Sequence, residues 1–302
     1  MIYDLDRCPP TFDALSAAMR FERLRIECGA ESFAIDVLPG RDRGFAGNEL
    51  WPHDHAERIR LRDHVGLPIL RMNPRCERAT LRERRSGDPA PEYICGFSEF
   101  VAAYRAGIRP LRPSTDLAHD PALVTITLRE CQHWPQRNSR IDAWLLAARI
   151  LAREGWRVVI VRDTARAGDA LLAPFASDID AAFSLEARAT LYRSAFCNIF
   201  VNNGPAWLAF ALDAPAVVLK LTTEGAGRSH GADHWRRIGV RPGEQLPGAP
   251  SYQRLFWRDD RAEDIVRAFV EFHAINAEGG GHESQIHGEL RLAADSKIHN
   301  SV

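Results

Sequence analysis

Short apolar blocks alternate with turn-formers and amphipathic stretches along most of the chain. Residues 1–5 are one such block and predict a strand. "DRCPPT" reads as a turn, with Thr11 placed to cap the helix that follows. Phe12, Leu15, Ala18, Met19, Phe21 and Leu24 keep a roughly helical period, which Gly29 stops. "SFAIDVL" (32–38) predicts a second strand, closed by Pro39-Gly40. "RDRGFAGNELWPHDH" has no period and predicts an irregular loop. Residues 55–65 predict a helix and the apolar run 67–72 a third strand. From 73 to 91 the chain is arginine-rich and polar, with "SGDPAP" as an exposed loop. Residues 97–106 predict a helix. Residues 107–122 carry several prolines and no period, which predicts a linker between two domains.

The second half is more regular. Strands are predicted at 123–128, 156–163, 197–201 and 216–221, and helices at 141–154, 167–175, 185–195, 205–212 and 261–275. "IDAAFS" (179–184) predicts a strand or a sheet edge. Strand-then-helix alternation argues for a parallel sheet covered on both faces, and fully apolar cores such as "VVIV" and "AVVL" fit strands buried from both sides. The fold class expected is α/β, with two Rossmann-like domains of parallel sheet and a cleft between them. The first domain spans 1–112 and the second 113–275. The polar stretch 276–302 predicts a mobile tail.

Composition narrows the function classes. A formal net charge of −1 gives no global reason to bind nucleic acid, and none is expected as a partner. Arginine supplies nearly all the positive charge, because the only lysines are Lys220 and Lys297. Six scattered cysteines without a C-x-x-C pair fit reduced, apolar use in a cytoplasmic protein. The start "MIYDLDRCPP" does not read as a signal peptide, and no apolar run approaches the roughly 20 residues that cross a bilayer. The arginine-rich surface leaves peripheral association with membrane lipids open.

"NIFVNNGPAWLAFALDAPAVVLK" (198–220) sets two amides, a glycine and a proline between buried segments. Ligands of open α/β sheets sit beyond the carboxyl ends of the strands, where Asn202, Asn203, Gly204 and Pro205 fall. Gly204 permits close backbone approach, Pro205 suits a first helical turn, and the helix N-terminus can hold an anion such as phosphate. A plain tight turn accounts for the same residues.

The order of segments over 123–221 resembles the C-terminal half of GT-B-fold glycosyltransferases, most of all the ADP-heptose-type lipopolysaccharide glycosyltransferases. The residues that carry the likeness are Trp134-Pro135, Ser184-Leu185, Leu191-Tyr192, Ala195, Asn202 to Pro205, Leu208-Ala209, Ala211 and Pro215. Trp207 stands where that family often has histidine, Asn202-Asn203 replace its usual pair, and Arg129-Glu130-Cys131-Gln132 replaces its glycine-rich start. The resemblance implies a GT-B fold and transfer of a hexosyl or heptosyl unit from a nucleotide sugar to a hydroxyl. The acceptor implied is a glycan or lipid-linked precursor of the cell surface. No metal and no cofactor beyond the donor are required.

Such a reaction needs cations on the departing diphosphate and a base for the acceptor. Arg129 ends the first strand of the second half, where its guanidinium can grip diphosphate oxygens; a salt bridge with Glu130 is the plainer alternative. Arg137 and Asn138 are candidates for phosphate or sugar, or for helix capping. Glu130 can orient an arginine or bind sugar hydroxyls. Asp163 fits a strand-end cap better than a ribose ligand, and Glu224 is a ribose candidate. In the first half, Asp6 and Asp13 come near the expected cleft. Asp13 is the candidate general base, and an acid in a helix's first turn is its simpler role. His53, Asp54 and His55 form a weak metal pattern that fits a solvated loop. A nucleotide-sugar epimerase and a non-catalytic binding protein of the same fold stay open as alternatives.

Overall fold

In the computed structural model, residues 1–39, 55–90, 92–115, 117–132, 134–169, 175–223 and 231–277 are described. The first half carries β1 (Ile2–Asp4), β2 (Phe33–Leu38) and β3 (Cys76–Leu81), paired in parallel in that order. Helices α1 (Ala14–Glu27) and α4 (Phe97–Arg105) pack on each other. Between β2 and β3 lie α2 (His55–Leu61), a π-helical turn at Arg62–Gly66 and α3 (Leu67–Arg71).

The run at 67–72 is therefore helical rather than the expected strand. A six-residue apolar block does not separate the two states by period. Pro68 follows directly on the π-helical turn, whose Leu67 N–H reaches back to Arg62 O, a local irregularity of the kind that accommodates a residue without an N–H. The third strand lies instead in the stretch where the pattern is weakest. Only Ala79 of β3 is buried, so an edge strand with one inward residue carries no alternation to read.

The second half is a six-stranded, all-parallel sheet in the order β6-β5-β4-β7-β8-β9. Its strands are β4 (Asp120–Thr127), β5 (Arg157–Val161), β6 (Ala176–Ser177), β7 (Ala195–Val201), β8 (Ala216–Leu219) and β9 (Gln253–Leu255). Helices α5 (Ile141–Arg153), α7 (Leu185–Ser194), α8 (Gly204–Ala211) and α10 (Ala262–Ala277) follow the alternation expected. Residues 179–184 depart from it. Asp178 accepts the Ala181 N–H at 2.8 Å and starts α6 (Ile179–Phe183), leaving β6 as a two-residue edge just before. In place of a helix from 167, a single 3-10 turn spans Thr164–Arg166; residues 170–174 of that expected helix, and the tail 278–302, lie outside the described residues.

Alternate residues of the central strand face opposite layers. Cys197, Ile199 and Val201 of β7 join α5 and α10, whereas Phe200 joins α7 and α8. That second layer is shared with the first half. One continuous core holds Tyr3, Met19 and Phe100 together with Tyr192, Trp207, Phe210 and Trp235, the last from α9 (Ala232–Arg237). The Phe97 and Trp207 rings lie 4.5 Å apart, and the Tyr104 hydroxyl donates to Gln253 Oε1 in β9. Even the proline-bearing connection is tied down. Leu111 is buried, its N–H reaches Ala211 O at 3.4 Å, and Arg112 N–H reaches Met72 O at 2.9 Å.

Candidate active site at the β4–β7 switch point

Numbered within its own half, the six-stranded sheet runs 3-2-1-4-5-6. The chain leaves β4 toward one edge and returns at β7 toward the other, so the connections diverge between these two neighbours. In such sheets that point is where a ligand crevice opens, beyond the carboxyl ends. Arg129-Glu130 follow β4, Arg162-Asp163 follow β5, Asn202-Asn203 follow β7, and Lys220 follows β8.

The residues after β4 fold into a tight arch. Arg129 N–H donates to Ser139 Oγ at 2.9 Å, and Ser139 N–H returns to Arg129 O at 2.9 Å, closing its base. Inside it, Arg129 Nη1 donates to Trp134 O at 3.0 Å and to Asn138 Oδ1. Asn138 also takes the Cys131 N–H at 3.2 Å and donates to Cys131 O at 2.9 Å. Trp134 adopts the left-handed conformation at φ 56°. So does Lys220 at φ 50°, where its Nζ donates to Asn138 O at 2.7 Å. Each such non-glycine residue costs on the order of 1–3 kcal/mol, held only where surrounding contacts enforce it.

This arch presents Arg137 toward β7, with Nη2 donating to Asn202 O at 3.1 Å. Arg137 forms no ion pair among the described residues. Burial, then the like charge of Arg129, pushes its guanidinium pKa down; burial also lowers that of Arg129. A guanidinium still holds its proton at neutral pH, so two partly desolvated positive charges lie near enough to act on each other. Asp13 approaches from the first half, close enough for its charge to act on Arg137. Burial raises the Asp13 carboxyl above its ordinary value, and the Thr11 hydroxyl bond and Arg137 oppose that rise without cancelling it. Asp13 stands at the N-cap position of α1, where its side chain makes no capping bond.

The other candidates are engaged within the protein. Glu130 grips Arg162, with Nε to Oε2 at 2.7 Å and a second bond beside it, so the arginine it orients is Arg162 and not Arg129. Asp163 accepts the Glu130 N–H at 2.6 Å and thus braces β4 against β5 rather than capping the turn after it. Asn202 accepts from Trp207 Nε1 at 3.2 Å and donates to Leu221 O at 3.0 Å. Trp207 thereby serves as a buried donor in an aromatic cluster.

The N-terminus of α8 is less open than the sequence suggests. Asn203 Oδ1 takes the Ala206 N–H at 3.1 Å, and Pro205 has none to offer. A Cβ on Gly204 would lie 2.4 Å from Phe12 Cβ and Cγ. The close approach that Gly204 allows is thus made by Phe12, from the first half, and its φ is not of the glycine-favouring kind. Asp6 N–H is bonded to Asp4 Oδ1 at 3.0 Å. Glu224, His53 and Asp54 lie outside the described residues, and His55 opens α2. Among the described residues no group of three or more His, Cys, Asp or Glu is placed to hold a metal, and no helix is long and apolar enough to cross a membrane.

Sequence reasoning passed over Lys220 and its partner Asp260. Asp260 is fully buried; its Oδ2 accepts Arg140 N–H at 2.8 Å and Trp144 Nε1 at 3.0 Å, and its Oδ1 lies 3.2 Å from Lys220 Nζ. The available signal was a lone lysine, in a chain almost without them, at the end of a fully apolar strand.

Fold and site together define an α/β protein with two parallel sheets, a doubly wound order in the second, and two partly desolvated arginines, Arg129 and Arg137, beside its switch point. No family model matches the chain, and no curated protein sequence does. Among solved structures the chain is similar to TibC, a bacterial iron-containing dodecameric glycosyltransferase from enterotoxigenic E. coli. The identity is 15%, over 90% of this chain and 76% of that one, with a TM-score of 0.45. It is similar to dodecameric iron-containing heptosyltransferase TibC in complex with ADP-D-beta-D-heptose at 17% identity, over 86% and 74%, with a TM-score of 0.42. A glycosyl transferase family 9 protein from Veillonella parvula matches at 12% identity over 72% and 64%, with a TM-score of 0.28. At TM-scores below 0.5 these likenesses carry no weight for the reaction.

Proposed function

We propose that the chain is a glycosyltransferase that moves a sugar from a nucleoside-diphosphate donor to an acceptor hydroxyl, with the donor at the β4–β7 switch point. The observation that carries this is the Arg129–Arg137 pair. Two partly desolvated guanidinium groups, with Asp163 acting on one and Asp13 on the other, stand at a strand-order reversal, and a diphosphate bound there would meet both in the fork geometry arginine prefers. The choice of sugar transfer draws support from the sequence resemblance over 123–221.

In this reading the acceptor oxygen attacks the anomeric carbon, and the carbon–oxygen bond to the diphosphate breaks. The bonding pair leaves with the diphosphate, whose growing charge Arg129 and Arg137 stabilise. The acceptor proton passes to Asp13, which its raised pKa suits as a base. The arginines take the part a cation would otherwise play, so the step needs no metal. A lipid-linked glycan precursor, met in the cytoplasm at the membrane surface, is the acceptor class the resemblance favours.

Calorimetric titration with ADP, GDP, UDP, CMP and inorganic pyrophosphate tests the donor site. One nucleoside diphosphate should bind, and Arg129→Ala and Arg137→Ala should each weaken it about 10- to 100-fold, the range for a lost hydrogen bond between charged groups. The matching nucleotide sugar should then be consumed in an Asp13-dependent way. Absence of binding by every ligand to the folded protein refutes the proposal.

A further inference from the structure

We propose that Lys220, clamped by Asp260, is a positioning residue for the diphosphate site, acting through Asn138; this rests on the donor-site reading above. The geometry forms one connected path. Asp260, fully buried, lies 3.2 Å from Lys220 Nζ and takes two further donors, from Arg140 and Trp144, that fix it to the start of α5. Lys220 Nζ then donates to Asn138 O at 2.7 Å. The Asn138 side chain holds Arg129 Nη1 and the Cys131 N–H, and Arg137 is its chain neighbour. Lys220 thus holds a residue that grips Arg129 and adjoins Arg137, beside Trp134, whose carbonyl takes both the Arg129 side chain and the Arg137 N–H at 3.0 Å.

The backbone at this position does not favour lysine. At φ 50° an asparagine or glycine would fit with less strain. A lysine there accepts that strain and brings a charge into a nearly closed space, with 9% of its side chain exposed. The carbonyl it holds belongs to the same arch in which Trp134 is also left-handed, and Trp134 O accepts from Arg129 at 3.0 Å. The two strained residues thus restrain the arch from both sides, and the arginines gain a fixed separation before any ligand arrives. Such preorganisation removes ordering cost from binding.

The test uses the full chain and pyrophosphate, together with whichever nucleoside diphosphate the wild type binds. Lys220→Asn/Asp260→Asn removes both charges at once, so no buried ion is left unpaired, and asparagine suits the left-handed backbone. This variant should stay folded and bind at least about 10-fold more weakly, as expected for losing a charge-assisted tie. Hydrogen exchange at the Cys131 and Ser139 amides should quicken, while amides of β7 and β8 keep their protection. A purely structural role predicts the reverse: a lower melting temperature, unchanged affinity well below it, and no selective change in the arch. Should the double variant not fold, Lys220→Arg decides. It keeps the charge against Asp260 but spreads it over a planar fork, and binding should weaken at least about fivefold at a near-native melting temperature. Wild-type affinity in either folded variant overturns this proposal and leaves the donor site standing. No binding by the wild type overturns both.

Discussion

Gly204→Ala offers the sharpest test of why the Asn202–Pro205 segment is built as it is. Gly204 is the first residue of α8, and helix propensity alone predicts that alanine stabilises, by up to about 1 kcal/mol. Contact with Phe12 predicts the opposite. The new methyl carbon would sit 2.4 Å from both Phe12 Cβ and Cγ, atoms at the root of the side chain that no rotamer change removes. Relief requires roughly 1 Å of movement between the loop before α1 and the start of α8, an overpacking change that costs about 1–3 kcal/mol. The net expectation is a loss of about 1–2 kcal/mol, which lowers the melting temperature by roughly 1.5–3 °C for a chain of this size. Urea or thermal unfolding followed by circular dichroism measures it. Phe12→Gly removes both clashing atoms, so in that background Gly204→Ala should turn neutral or stabilising, a coupling that a double-mutant cycle reads directly. A higher melting temperature for Gly204→Ala alone would refute the seating of Phe12 on this glycine and return the residue to a ligand-facing role.

Three further outcomes are expected. Asp13→Asn should lower turnover about 10²- to 10⁴-fold while donor affinity holds, and the wild-type rate should fall on acidification through a pKa above the ordinary carboxyl value of 3.8. Because the folded carboxyl holds its proton more tightly than the unfolded one, wild-type stability relative to Asp13→Asn should be lost as pH rises across that interval, so the variant melts higher at pH 7 and no higher in acid. Asp260→Ala strands the Lys220 ammonium and two N–H donors in the interior and should cost about 3–5 kcal/mol by denaturant titration.

The second half was legible because its strands are buried on both faces and its helices are long enough to show a period. "VVIV" and "AVVL" admit few other readings, and the carboxyl ends of their neighbours β4 and β7 place Arg129 and Asn202 on the same side of the sheet. The first half resisted wherever a short element had one buried residue. Ala79 alone faces the core from β3, and Pro68 lies in a helix that its apolar run disguises as a strand. β9 and α9 lacked enough apolar positions to stand out. Within the site, residue types were visible and pairings were not. Glu130 could be seen near an arginine, but that the arginine is Arg162 depends on β4 lying beside β5. Likewise Gly204 was marked as a place of close approach. Its occupant, Phe12, comes from a turn almost two hundred residues earlier, and only packing between the halves reveals it.

That shared packing bears on how the chain can be made. Tyr3, Met19 and Phe100 have no complete apolar surroundings until Trp207, Phe210 and Trp235 have been synthesised, because all six belong to one core. A first half emerging from the ribosome therefore exposes the face that α8 later covers. At about 5–20 residues per second that exposure lasts on the order of ten seconds. During that interval an unfinished apolar layer is the surface a chaperone would meet, and a ribosome-stalled fragment ending before α8 should be far more open to protease than the released protein.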